Sequence, residues 1–400
     1  MFYIGFFILC TVLVILSIVG LCFGRIRGHA IKVLLCSMMC AVLVVVWVYY
    51  PRTYARDYVK AAAVAPVDIS LAQSARGADF EVGSAVRTLS QLNDAQYTQL
   101  FTSVTPENLL KIEGVVSDIN TQEYNFTAAD ALVDQALNKG LRVRGHALVF
   151  GKASDMFKAP DLDAWLERFP VEQRKAILTD FMQQHITKML NHYRGRIHEW
   201  DVVNEVLDLL GNGNIEENVF YRYVGPDYIR LALETAKQVD PTIKIYINEQ
   251  LNNYTDKRAE AFYQLIKTLV DQGAPLDGIG LQGHSLFHLA PPETLKAYML
   301  RFESLGLTIE ITELEARLRL FEGEADPYYA QGEYYRDITR QCLAVAACKG
   351  ITFWGYSDAT SWMDDLYFLF PKPNEPYLLD SLGRVKPGVG LIDALFVLDE

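Results

Sequence analysis

The feature that most constrains the fold is an alternation that begins at Phe80. Short apolar runs of strand length are separated by longer stretches with helical periodicity, such as residues 128–140 and residues 174–195. Strands that alternate with helices form parallel β-α units. Eight units predict an α/β fold, a closed (β/α)8 or TIM barrel. The eight candidate strands are residues 80–86, 101–105, 141–150, 197–205, 243–249, 278–284, 307–314 and 350–357.

Polar side chains stand at the end of nearly every candidate strand. In a (β/α)8 barrel, active-site groups lie at the carboxyl ends of the strands. Glu205 ends the fourth apolar run and Glu313 lies near the end of the seventh, so the two face each other across the barrel mouth. The pattern predicts one polar, carboxylate-rich cleft. Its other members are Glu107, Asn108, His146, Asn248, Glu249, Gln282, His284, Glu315 and Trp354.

Two carboxyl groups on either side of a bond can hydrolyse a glycoside. One of them donates a proton to the leaving oxygen and needs a raised pKa, while the other stays ionised and attacks or stabilises the sugar carbon. A separation of about 5–5.5 Å would indicate retention of configuration. Glu205 and Glu313 are the candidates. We expect His284 to hydrogen-bond the ionised carboxylate and Asn204 to bind a sugar 2-hydroxyl.

The charge balance and the absence of several motifs exclude other classes of function. The first 60 residues are basic, and residues 61–400 carry 31 Lys and Arg against 48 Asp and Glu. Such acidity argues against a nucleic-acid partner. The sequence has no His-Glu-x-x-His motif, no glycine-rich phosphate loop and no Gly-x-Ser-x-Gly elbow. We therefore expect no metal and no cofactor, and a neutral substrate such as a sugar.

Residues 1–50 have the composition of a membrane anchor. Phe2–Phe23 and Val33–Tyr50 are uncharged apolar runs, each close to the roughly 20 residues that cross a bilayer as a helix. We expect two transmembrane helices in the lipid bilayer; the alternative is one span plus a buried or interfacial segment. Residues 51–79 are then a linker, and residues 80–400 are the catalytic barrel.

The orientation of this anchor follows from the basic residues beside it. Arg25, Arg27 and Lys32 lie between the two runs, and the positive-inside rule places such a loop in the cytoplasm. The barrel is then periplasmic or extracellular, although basic residues after the second run favour the opposite orientation. Cys342 and Cys348 flank the end of a helical pattern. They are either a disulfide, which requires an oxidising compartment, or two buried thiols.

Seven stretches occur in an order that resembles the family 10 glycoside hydrolases, chiefly endo-β-1,4-xylanases. They are SVTPENLLK, RGHALV, WDVVNEVLD, YINE, GIGLQGH, ITELE and FWGYSDATSW, and the resemblance covers residues 84–392. It implies retaining cleavage of xylan or xylo-oligosaccharides, with Glu205 as general acid/base and Glu313 as nucleophile. It also favours the Cys342–Cys348 disulfide. The implied sugar-binding residues are Glu107, Asn108, Lys111, His146, Asn204, Gln282, His284, Trp354 and Trp362.

The sequence departs from the family pattern beside the expected cleft. Phe150 and Gly151 stand where the family usually has Trp-His, Ile112 replaces a Trp, Gln250 replaces an aromatic residue and Glu315 replaces an Asp. These changes are expected to weaken or alter sugar binding. Two alternatives follow. One is a catalytically weakened, membrane-tethered glycan-binding protein, and the other is a retaining hydrolase of another β-1,4-glycan, such as β-glucan or mannan.

Overall fold

The computed structural model describes residues 70–152, 160–208, 213–251, 253–366, 369–370 and 372–397. Its main feature is a set of eight parallel strands, each of which starts within two residues of a predicted start. The strands are β1 (Glu81–Val86), β2 (Ser103–Pro106), β3 (Arg142–Val149), β4 (Glu199–Asn204), β5 (Lys244–Glu249), β6 (Gly278–Leu281), β7 (Thr308–Ala316) and β8 (Cys348–Phe353).

These strands pair in chain order and close on themselves. Each strand is parallel to the next, from the pairing of Gly83 with Ser103 between β1 and β2 to that of Ile309 with Cys348 between β7 and β8. Strand β8 pairs in turn with β1, where Glu81 lies opposite Gly350. The predicted (β/α)8 barrel is therefore confirmed.

Helices cover the outside of the barrel because their apolar residues recur on one face. In the helix Val171–His192 the buried Leu178, Met182, Ile186 and Met189 are spaced three to four positions apart. Burying each such side chain stabilises the fold by roughly 1.5–3 kcal/mol. Among the described residues, the other helices of six or more residues are Leu71–Gly77, Thr127–Asn138, Leu162–Glu167, Val219–Val224, Tyr228–Val239, Lys257–Asp271, Pro292–Glu303, Pro327–Leu343 and Pro387–Val397.

Smaller elements fill the connections. A two-stranded antiparallel hairpin pairs Val116–Asp118 with Glu123–Tyr124, and His284–Ser285 adds a short parallel bridge beside the end of β7. Single-turn helices are Leu89–Leu92, Tyr97–Leu100 and Ile112–Val115, with 3₁₀ turns at Leu318–Phe321, Asp358–Thr360 and Trp362–Asp364.

The N-terminal boundary of the folded part differs from the sequence expectation. The helix Leu71–Gly77 lies inside the stretch expected to be a linker, and its Leu71, Ala72 and Ala75 are fully buried. Three apolar residues on one face are enough for a two-turn helix to pack, although a window so short shows no clear periodicity. This end of the expected linker is therefore folded.

The barrel interior holds a network of charged side chains. Arg144 on β3 donates to Asp201 on β4 at 2.5 Å and to Glu310 on β7 at 3.0 Å. Because β3 and β7 are not neighbours, this contact crosses the interior. Arg142 also forms ion pairs with Glu199 and Glu310. Burial raises the pKa of Glu310, but the two arginines outweigh it and lower that pKa to about 2.

A disulfide joins Cys342, at the end of the helix Pro327–Leu343, to Cys348, the first residue of β8. Their Cα atoms are 5.3 Å apart, since the helix ends between them and the chain turns back. That geometry is within the range in which a disulfide forms readily.

The chain divides into two compact units. The barrel unit contains the described residues 70–361 and 375–397, and residues 362–374 belong to the other unit. Among the described residues, no helix is long and apolar enough to cross a bilayer. The two transmembrane helices expected in residues 1–50 lie outside the described residues.

Candidate active site

Asn204 and Asn248 lie side by side because β4 contains one extra residue. Strand β4 pairs with β5 in simple register up to Asp201 opposite Tyr246, and then Val203 lies opposite Ile247. This bulge places Asn204 opposite Asn248 at the carboxyl ends of the two strands. The Asn248 side-chain amide donates to Asn204 Oδ1 at 2.8 Å. Bulges often re-aim side chains next to active sites.

Glu313 on β7 has hydrogen-bond partners on both carboxylate oxygens. Asn248 Nδ2 donates to Oε1 at 2.7 Å, and His284 Nε2 lies 3.0 Å from Oε2. Thr312 fixes the Asn248 amide by donating to its Oδ1 at 2.6 Å, so that the amide nitrogen faces Glu313. Gly280 leaves room for this amide, since a Cβ there would lie 2.1 Å from Asn248 Oδ1.

His284 lies between two carboxylates and carries a proton on each ring nitrogen. Its Nδ1 is 2.5 Å from Glu315 Oε1, while Nε2 contacts Glu313. Burial lowers the pKa of an imidazole, but here the two carboxylates outweigh it and raise the pKa of His284 to about 10. The charged ring therefore donates to both carboxylates. This placement agrees with the expected hydrogen bond from His284 to the ionised carboxylate.

Glu205 follows β4 with its backbone in the left-handed region, at φ 55°. Its Oε2 accepts a hydrogen bond from Lys152 Nζ at 3.1 Å, and its Oε1 accepts one from Gln282 Nε2 at 3.4 Å. Burial raises the pKa of Glu205, but the Lys152 ammonium and these hydrogen bonds outweigh it, so the pKa lies below its usual value. The expectation of a raised pKa for one of the two glutamates is therefore wrong for Glu205, because a cation lies beside it.

Glu107, Asn108 and Lys111 form a chain of polar contacts after β2. Asn108 Nδ2 donates to Glu107 Oε1 at 3.1 Å, and Lys111 Nζ donates to Asn108 Oδ1 at 2.8 Å. The Lys111 ammonium also lies 5.3 Å from the ring centroid of Phe150, a distance at which a cation is attracted to an aromatic face. Arg87 forms an ion pair with Glu107 at 3.2 Å.

Trp354 brings the two site histidines together. Its ring centroid lies 5.1 Å from that of His146 and 6.2 Å from that of His284, both edge-on. His146 Nδ1 in turn contacts Asp201 Oδ2 at 2.9 Å. Trp354 is 7 % exposed, so it packs against the histidines and keeps only a small surface free.

Position 151 requires a glycine because the side chain of Asn218 occupies the space where a Cβ would lie. A Cβ at Gly151 would lie 2.4 Å from Asn218 Cγ. Asn218 is fixed because its Oδ1 caps the helix Val219–Val224 and its Nδ2 donates to Tyr228 at 3.2 Å. The space beside Gly151 is thus occupied from the other side, and no larger residue fits there.

The barrel unit brings together all the predicted site residues except Trp362. That residue belongs to the unit of residues 362–374, where its ring lies 5.3 Å from that of Phe370. Asn248, predicted as a member of the cleft because an Asn-Glu pair ends the fifth apolar run as one ends the fourth, contacts Glu313. Lys152 is the contributor that the sequence did not predict, since its only signal was a charge three residues after a strand.

Comparisons with known proteins agree with this architecture. The model of glycosyl hydrolase family 10 matches residues 70–393. Endo-1,4-beta-xylanase 1 of Humicola insolens is 31 % identical over 313 residues, covering 76 % of this chain and 70 % of that protein. The crystal structure of xylanase 10B from Thermotoga maritima superposes with a TM-score of 0.72 at 28 % identity, covering 83 % of this chain and 99 % of the other.

A second solved structure has the same degree of similarity. Xylanase 10B from Thermotoga petrophila, in complex with xylobiose, gives a TM-score of 0.72 at 27 % identity and covers 84 % of this chain and 99 % of its own. The family match extends over most of the chain and includes all eight strands. The chain belongs to glycosyl hydrolase family 10.

Proposed function

We propose that this protein cleaves β-1,4-linked xylose chains with retention of configuration, with Glu313 as the nucleophile and Glu205 as the general acid/base. Its family and relatives make it a retaining glycoside hydrolase of the endo-1,4-β-xylanase class; the roles of individual residues are the proposal. The observation that carries it is the environment of Glu313, whose two oxygens contact Asn248 and a protonated His284.

The reaction proceeds in two displacements. In the first, a Glu313 oxygen bonds to the anomeric carbon while Glu205 gives its proton to the departing glycosidic oxygen. In the second, the ionised Glu205 takes a proton from water, and the resulting hydroxide displaces Glu313 from the sugar. The His284 imidazolium donates to Glu313 Oε2 at the start and end of the cycle, when Glu313 is not bonded to the sugar.

The substrate-binding roles are assigned by the same reasoning. Asn204 binds the 2-hydroxyl of the sugar under attack, and His146 lies beside the same sugar. Glu107, Asn108 and Lys111 bind hydroxyls on the non-reducing side of the scissile bond. Gln282 orients the acid/base, because it already donates to Glu205. Trp354 supplies an aromatic wall to the cleft.

The test is hydrolysis by the full chain, purified in detergent, beside Glu205→Ala and Glu313→Ala. We expect the unmutated chain to release xylo-oligosaccharides from xylan and to produce the β-anomer first, as followed by proton NMR. Glu313→Ala should abolish cleavage. Glu205→Ala should reduce cleavage of xylan by about 10²–10⁴-fold but should spare formation of the glycosyl-enzyme from a dinitrophenyl xylobioside, whose leaving group needs no proton.

Three other outcomes would contradict the proposal. Xylo-oligosaccharide binding without any cleavage by the unmutated chain would identify a glycan-binding protein derived from the enzyme. Faster cleavage of cello- or manno-oligosaccharides would identify another β-1,4-glycan as the substrate. An α-anomer as first product would exclude the retaining mechanism.

We also propose that residues 1–50 anchor the protein in a membrane with the barrel on the periplasmic or extracellular side. Two uncharged apolar runs separated by three basic residues support this proposal, and so does the Cys342–Cys348 disulfide. Protease added to intact cells should remove the barrel from the membrane fraction. Protection of the barrel until the cells are lysed would contradict the proposed orientation.

A further inference from the structure

Lys152 reaches the site from the loop after β3 and is held by three oxygens. Its Nζ lies 3.1 Å from Glu205 Oε2, 3.3 Å from the carbonyl of Leu207 and 3.7 Å from Glu216 Oε2. The side chains of Lys152 and Glu205 are 10 % and 16 % exposed, so water screens this ion pair little. The ammonium therefore has a fixed position against one oxygen of the acid/base.

We propose that Lys152 is a positioning residue for Glu205 that restricts the first displacement to acidic pH and favours the second. This inference rests on the proposed role of Glu205 as acid/base. The first step needs a proton on Glu205, whereas the second needs its ionised carboxylate. An ammonium hydrogen-bonded to the carboxylate stabilises the ionised state and fixes the orientation of Oε2.

The other groups around Glu205, taken together with Lys152, also stabilise its ionised carboxylate. Two cations act on it, the Lys152 ammonium and the His284 imidazolium, and Gln282 adds a neutral donor. Glu249 at the end of β5 is the carboxyl that faces Glu205. Burial outweighs the effect of Arg258, 2.7 Å away, and raises the pKa of Glu249 to about 7, so Glu249 carries little negative charge at acidic pH. The balance lowers the pKa of Glu205 against the opposing effect of burial.

Because of this arrangement, the rates of the two displacements depend differently on pH. Above the pKa of Glu205 the protonated fraction falls tenfold for each pH unit, and the rate of departure of a sugar leaving group falls with it. The ionised fraction that serves the second displacement stays close to one. We therefore expect kcat/KM for xylotetraose to decline from a lower pH than it would without Lys152.

The principal test is the pH profile of kcat/KM for xylotetraose in Lys152→Met and Lys152→Arg. Removing the charge should move the alkaline limb upward by about one pH unit, since an opposite charge at this range shifts a carboxyl pKa by about 1–3 units. Arginine keeps the charge and should leave the limb near its original position. Lys237→Met is the matched control, because Lys237 forms a comparable ion pair with Asp277 at 2.8 Å at the start of β5 and β6, and it should not move the limb.

A second variant acts in the opposite direction and leaves Lys152 in place. Glu216 competes with Glu205 for the ammonium and its side chain is 25 % exposed. Glu216→Gln should therefore strengthen the contact of Lys152 with Glu205 and move the alkaline limb to lower pH. If Lys152→Met fails to fold, Glu216→Gln is the deciding variant. A shift of its alkaline limb to lower pH supports the proposal, and an unchanged limb overturns it.

A substrate with a dinitrophenyl leaving group separates a pH effect from a structural one. Its departure needs no proton, so its alkaline limb should be the same with and without Lys152. A Lys152→Met protein that folds normally, cleaves this substrate and keeps the original limb on xylotetraose would overturn the inference. If the unmutated chain cleaves neither substrate, the proposed function has failed. The carboxyl pKa of Glu205, read by carbon-13 NMR in both proteins, then decides whether Lys152 acts on it.

Discussion

At the scale of single residues, His284 lies in the candidate active site and also contributes to the stability of the fold. Its imidazolium contacts Glu315 at 2.5 Å and Glu313 at 3.0 Å, and all three side chains are nearly excluded from water. Leaving either carboxylate without its charge partner would place an uncompensated charge in a buried site. The protonated ring therefore stabilises the fold through the two carboxylates that it contacts.

The stability that His284 contributes should depend on pH. Its pKa rises from 6.5 to about 10 on folding, because the attraction of Glu315 and Glu313 exceeds the effect of burial. Its contribution is thus fully present below pH 6.5 and is lost as the pH rises through about 10. Urea unfolding of the unmutated chain and of His284→Gln at pH 6, 8 and 10 measures this, and the difference in unfolding free energy should shrink at each step. A difference that stays constant over this range would exclude a charged His284.

At the scale of elements, the strands and their polar ends could be predicted from the sequence, but their exact register could not. The strands are runs of mostly apolar residues between helical patterns, and their short length distinguishes them from the helices. The bulge of β4 after Asp201 carries no such signal. It determines that Asn204 lies beside Asn248, and through Asn248 it links β4 to Glu313 on β7.

The lowered pKa of Glu205 could not be predicted from the sequence for a related reason. Lys152 and Glu205 are 53 positions apart, and only the closed barrel brings the loop after β3 to the end of β4. A buried carboxyl at a strand end is expected to have a raised pKa. The sequence does not reveal which cation approaches it, so the direction of the shift could be read only from the structure.

The loop after β3 should reject the residue that the family usually has at position 151. Gly151→His would place a side chain in the space of Asn218, which three hydrogen bonds hold in place. Overpacking of this kind costs about 1–3 kcal/mol, so we expect a lower thermal midpoint rather than improved sugar binding. Gly323→Ala is the control, since nothing lies within 4 Å of a Cβ there. A Gly151→His protein as stable as this control would show that Asn218 can move.

At the scale of the whole molecule, two features hold the barrel closed, a network of buried ion pairs and a disulfide. The interior network of Arg142 and Arg144 with acids on β4 and β7 joins strands that are not neighbours. Such buried pairs are worth little relative to apolar residues but cost about 3–5 kcal/mol when one partner is removed. They therefore fix the relative positions of the strands more than they add to stability. The second feature is the Cys342–Cys348 disulfide, which lies at the start of β8.

The disulfide between Cys342 and Cys348 should contribute a modest, measurable part of the stability. It closes a loop of only a few residues, and the loss of chain entropy in the unfolded state then corresponds to about 2 kcal/mol. Strand β8 starts at Cys348 and pairs with both β1 and β7, so a freely moving start of β8 would loosen the closure of the barrel. Replacing both cysteines by serine should lower the urea midpoint, followed by tryptophan fluorescence, without changing kcat on xylotetraose.

Reduction of the unmutated chain is the companion measurement, because it breaks the same bond without altering the buried side chains. It should lower the midpoint as far as the double serine variant does, with two additional thiols titrated in the barrel. A full-length protein from cells whose barrel thiols titrate as free before any reductant is added would contradict both the bridge and the export of the barrel, since an oxidising compartment is what preserves such a bond. The state of these two cysteines thus tests the proposed export of the barrel.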